Sequence, residues 1–124
     1  MAVDTSPAFE SLRRLAAISA LLTLVQAALA IGFLRGVEWM GPVHGAIGYL
    51  ILVLSLFIAR LGVSWATGDR ARRRTMWHAA SLPALAGIQI GLATSQLKDI
   101  HMVMGIVFFV AAFTLFSRSG RALG

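Results

Sequence analysis

Two histidines occupy matching places in this chain. Val43-His44-Gly45-Ala46-Ile47-Gly48 and Ile100-His101-Met102-Val103-Met104-Gly105 each open an apolar run with a His and carry a Gly four residues later. Four residues are about one helical turn, so the His and the Gly share a face. An ionisable side chain inside an apolar helix is costly and needs a reason. Neutral imidazole is a metal-ligand form, and the positive end of a helix dipole favours it over imidazolium. Two such residues at one depth predict a pair of axial ligands to a single heme b. His44 and His101 would be the metal ligands, and Gly48 and Gly105 would let the flat ring edge approach helix backbone. Each His taken singly reads better as a polar residue at the water interface. The matched depth and the glycine offset tip the pair toward ligation.

Other polar residues repeat with the histidines. Arg35 and Lys98 each follow a Gln by nine residues and are expected to end helices one and three. At that surface they would pair with anionic propionates, or serve as ordinary loop charges. Gln26 and Gln89 lie deeper, about 12 Å before the helix ends. An amide in hydrocarbon seeks a partner, and a bond to each other or to facing backbone is favoured over a quinone or heme contact. His78 has no repeat mate and reads as interfacial. Gly32, Gly87 and Gly91 suggest close helix packing, and Met102 and Met104 read as core filler.

The elements that must position these groups are apolar. The chain has 124 residues, 58% hydrophobic and 13% charged, too apolar for a soluble domain of this size. Four runs, near 12–34, 43–63, 75–97 and 100–117, have the length of transmembrane helices. Together they predict one all-α domain over residues 1–124, a four-transmembrane-helix bundle. Val25-Gln26-x-x-Leu29-Ala30 matches Ile88-Gln89-x-x-Leu92-Ala93, so the bundle reads as two repeated helical hairpins in one orientation. Pro83 should kink the third helix without ending it. Ser6-Pro7 and Gly41-Pro42 are expected to start helices one and two, with Asp69 and Asp99 capping helices three and four.

Charge sets the expected orientation. Arg13, Arg14, Arg60, Arg70, Arg72, Arg73, Arg74, Arg118 and Arg121 fall on one side, and Arg35 and Lys98 on the other. The positive-inside rule makes this a multi-pass protein of the cell inner (cytoplasmic) membrane, with both termini cytoplasmic. The first run mimics a signal peptide in Arg13-Arg14 and Ala28-Leu29-Ala30, but is longer than a typical one and reads as an uncleaved span. The net charge of +6 is then a topology and anionic-lipid signal, and no nucleic acid is expected. Trp39, Trp65 and Trp77 fall near span ends, as interfacial aromatics do. The chain has no Cys, which excludes disulfides, thiolate metal sites and covalent heme attachment. No Asp or Glu lies inside a span, which argues against an ion-coupled transporter.

These residues resemble the heme A synthase family. Each four-helix half of that family carries a Gln on its first helix, a His on its second and another His on its fourth. The run from Val25 through Gln26 to Arg35 is similar to the family's first-helix pattern, and Pro42-Val43-His44 to the approach to its helix-two ligand. The likeness covers most of the chain, on short motifs, and implies a half-size protein of that kind. It implies a heme b-binding scaffold. The family's catalytic half carries a Glu three residues before the helix-two His and an Arg directly after it. Here those places are Gly41 and Gly45, and Glu38 stands six residues upstream of His44. Cytochrome b561-like proteins are a looser analogy. The expected function is therefore electron transfer by a small bis-histidine membrane cytochrome, with no catalytic residue assigned. The alternatives are a heme-modifying enzyme, a heme-free accessory subunit of a respiratory or photosynthetic complex, and, more weakly, a heme carrier. Expected partners are membrane lipid, a second copy or a larger membrane complex, and a quinone or redox protein.

Overall fold

The computed structural model describes residues 6–70 and 72–121, with side chains described as far as 118. The chain forms four helices: α1 (Pro7–Leu34), α2 (Met40–Ala66), α3 (Arg73–Thr94) and α4 (Lys98–Arg121). They run up and down around a square. Each packs against its two neighbours, α2 and α3 most extensively, and α4 returns to α1. α2 and α4 are therefore diagonal partners running in the same direction. The side chain of Arg121 and the first five residues lie outside the described residues.

Small residues let the helices approach. Ala16, Ser19 and Ala20 on α1, Ser55 and Gly62 on α2, Ala79 and Ala86 on α3, and Ala112 on α4 are all buried. Leu12, Ile58, Leu82 and Leu115 fill the space between them. A Cβ on Gly62 would stand 2.6 Å from the Cβ of Ala79, so α2 and α3 meet here at closest range. Nearly all this core lies in the half that holds the start of α1 and the end of α2. Toward the other end, only Leu29 on α1 is buried beyond residue 20, and α2 has no buried residue before Ile51.

Outside the core, the surface stays apolar. Leu21, Leu24, Tyr49, Leu56, Phe57, Ile106 and Val110 are all exposed. Three helices are long and apolar enough to cross a membrane: α1, α2 and the Lys98–Arg118 part of α4. Only 17–22% of their most apolar windows is buried inside the bundle, so most of that apolar surface faces outward. α3 falls short of the expectation of four such helices. It carries His78, Ser81, Pro83 and Gln89 within 22 residues, and it continues helically through Pro83.

Several helix ends differ from the sequence expectation. Ser6 does cap α1, its Oγ accepting from the Phe9 amide at 3.4 Å. α2 begins at Met40, ahead of Gly41-Pro42, on a turn in which Val37 O accepts from Met40 N. Asp69 does not cap α3, which begins at Arg73. Its carboxylate instead pairs with Arg72 at 3.0 Å, and Arg72 lies over the Trp65 ring at 4.6 Å. Asp99 lies inside the first turn of α4. α3 stops at Thr94, so Lys98 opens α4 and does not close α3. The stop comes from Gln96, which takes a φ of 62° and breaks the helical path. Gly36 does the same after α1, with a φ of 93°. Both ends close alike. Val37 N donates to Gly32 O and Gly36 N to Phe33 O; Leu97 N donates to Leu92 O and Gln96 N to Ala93 O.

Candidate functional site: a paired-histidine centre

The site is built from two equivalent half-sites. In α1–α2, His44 Nδ1 lies 3.1 Å from the main-chain oxygen of Gln26. In α3–α4, His101 Nδ1 lies 3.0 Å from the main-chain oxygen of Gln89. A carbonyl oxygen can only accept, so each Nδ1 carries the proton and donates. In the neutral ring the lone pair then sits on Nε2, the tautomer that a metal-binding imidazole uses when its other nitrogen is held by a carbonyl.

The two rings meet across the bundle diagonal. Their centroids are 5.9 Å apart and their planes cross at 62°. A ligating imidazole nitrogen lies about 2 Å from its metal and the ring centre about 1 Å further, so two imidazoles on opposite faces of one ion have centres about 6 Å apart. The observed separation is close to that value, which is also the spacing of an edge-to-face ring contact. Each His lies about one turn inside its helix, five residues into α2 and four into α4, so the two share a depth. Both are half-buried, in the half of the bundle where few side chains fill the interior.

The donor set limits what could be held. Among the described residues no group of three or more His, Cys, Asp or Glu could hold a metal ion. A bare cation would therefore find only two protein ligands here. A tetrapyrrole iron brings four nitrogens of its own and takes one or two more, and two are supplied here.

The glycines and glutamines do something the sequence left open. A Cβ on Gly48 would lie 3.1 Å from Gln26 Nε2, and one on Gly105 would lie 3.0 Å from Gln89 Nε2. Each Gly thus makes room for the Gln amide of the neighbouring helix. That is a tighter and more local role than receiving a ring edge. The expected bonds of the Gln side chains do not form through their oxygens: Gln26 Oε1 and Gln89 Oε1 are buried with no hydrogen-bond partner. The contribution of Gln26 and Gln89 to the histidines comes from main chain, which no residue-type pattern reveals.

The remaining candidates separate. Arg35 is the residue after α1, and Lys98 the first of α4, one turn before His101; both are exposed at the histidine end. His78 is not merely interfacial: its Nε2 lies 2.8 Å from the Ala111 oxygen on α4 and ties α3 to α4. Gly87 and Gly91 have nothing within 4 Å of a built Cβ, so they do not serve close packing, whereas Gly32 admits Met40. Gly41 is packed against the Phe33 ring, and a Glu there would displace that ring; Gly45 faces open space. Comparison with protein-family models, curated proteins and solved structures finds no match.

Proposed function

We propose that this chain is a small membrane cytochrome that holds one heme b between His44 and His101 and passes electrons. The observation that carries the reading is the matched pair of histidines, each fixed by its Nδ1 to a main-chain oxygen, with ring centres 5.9 Å apart. His44 and His101 hold the iron through Nε2. The carbonyls of Gln26 and Gln89 hold the rings against rotation and keep them in the ligating tautomer. Arg35 and Lys98 meet the propionates at the outer surface. Heme b, when bound, supplies one-electron chemistry, and two histidine ligands leave no open position for oxygen activation.

In this reading all four helices cross the cell inner (cytoplasmic) membrane as two repeated hairpins, with both termini cytoplasmic. The polar groups of α3 suit a span that faces protein: His78 donates to α4 and Gln89 supports His101. The partners are membrane lipid, a quinone or redox protein, and a second copy or a larger complex. The half-size likeness to heme A synthase is part of the same reading, but methyl oxidation is disfavoured by Gly41, which lies against Phe33 where that chemistry expects a carboxylate.

The test is a spectrum. Membranes or detergent-purified protein from cells supplied with heme should show a reduced b-type α-band. His44→Ala and His101→Ala should each abolish or shift it while the protein remains in the membrane fraction. A colourless wild-type protein would overturn the reading and leave the heme-free accessory subunit. Recovery of hydroxylated or formylated heme would instead establish the modifying enzyme.

A further inference from the structure

The candidate site is close to twofold symmetric. His44 and His101, Gln26 and Gln89, and Gly48 and Gly105 form equivalent pairs, with 3.1 Å matching 3.0 Å for both kinds of contact. The axis that exchanges them runs along the bundle between α2 and α4. A disc gripped by the two imidazoles contains that axis in its plane. Heme b has an approximate twofold axis of its own, through the middle of its propionate edge. Rotation about it exchanges the two propionates and restores the four nitrogens. At the opposite edge it places a vinyl where a methyl was.

We propose that the site accepts heme b in two orientations, either face toward His44, and that the pairs Ile47/Met104 and Ile51/Phe108 set their ratio. The proposal rests on the heme reading above. The outer end of the molecule breaks the repeat most: residues 35–39 join α1 to α2, but only 95–97 join α3 to α4, and Arg35 and Lys98 occupy different places. That end faces the propionate edge, whose two acids are equivalent under the rotation, so it cannot choose. The choice falls to the deeper edge. There the repeat differs on the helical face of the histidines, three and seven residues after each His: Ile47 against Met104, both half-buried, and Ile51 against Phe108, both buried. Ile is stiff at its branched Cβ and Met is flexible.

Proton NMR of the oxidised protein in detergent micelles, loaded with heme b and held until spectra stop changing, reads the populations directly. Two sets of shifted heme-methyl resonances are expected. A synthetic isomer of heme whose rotation exchanges identical groups should give one set. Met104→Ile, which makes both halves Ile, and Ile47→Met, which makes both Met, should each move the ratio toward one. A single set in the wild-type protein would overturn the proposal, and a ratio unmoved by both substitutions would remove these two residues from it. Failure to take up heme at all sinks the heme reading itself, an outcome that colour distinguishes from a single orientation.

Discussion

At the scale of the residue, the glutamines divide their labour between main chain and side chain. Their carbonyls orient the histidines, and their amide oxygens are buried without partners. A buried unsatisfied acceptor costs about 1–3 kcal/mol, and its replacement by an apolar group of similar shape is neutral or stabilising. Gln26→Met and Gln89→Met should therefore leave the melting temperature in detergent unchanged or raised. They should also leave the heme band in place, because the Nδ1 partner is backbone. A band lost at normal stability would mean that the side chains themselves contact the ligand. The sequence was legible here in residue type: His44, His101, Gln26, Gln89, Gly48 and Gly105 stood out through spacing alone. What joins them was not. A carbonyl is present at every position, so no pattern of side chains marks Gln26 and Gln89 as the residues whose oxygens are used. For the same reason, the glycines could be seen to make space, but not for whom.

At the scale of the element, the helices were readable and their ends less so. Ser6 and Pro7 are side-chain signals, and α1 begins where they indicate. The end of α3 has no such signal, because Gln96 takes the left-handed conformation that Gly36 takes after α1. An L-residue pays roughly 1–2 kcal/mol for that conformation. Gln96→Gly should accordingly stabilise the protein by about 1 kcal/mol, and Gly36→Ala should destabilise it by a similar amount, both read from thermal unfolding in detergent. The opposite face of the same logic appears at Gly62, where the backbone of α2 meets α3 and an added Cβ would lie 2.6 Å from that of Ala79. Gly62→Ala should separate the two helices and cost about 1–3 kcal/mol. Gly87→Ala, with open space at its Cβ, should not.

At the scale of the whole molecule, hydropathy marks three helices as long and apolar enough to cross a membrane and leaves out α3, which meets α4 through the His78 ring and the Gln89 carbonyl. The absence of Cys makes the four-span arrangement directly testable. Under it, single cysteines at Glu38 and Ser95 should react with an impermeant maleimide from outside intact cells, and one at Arg70 only after permeabilisation. Ser95 and Arg70 labelling from the same side would show that α3 does not cross. Packing along the bundle is lopsided, dense at the basic end and sparse around the histidines. The hydrogen bonds that aim the histidines follow a different division. His44 is aimed by α1 and His101 by α3, so each bond stays within its own helix pair. Neither imidazole depends on the other pair for its orientation. A cut between α2 and α3 would leave each histidine on the same fragment as the carbonyl that aims it, while the packing of α2 on α3 brings the fragments together. The centre is in that sense a seam between two helix pairs, each bringing its own ligand already aimed.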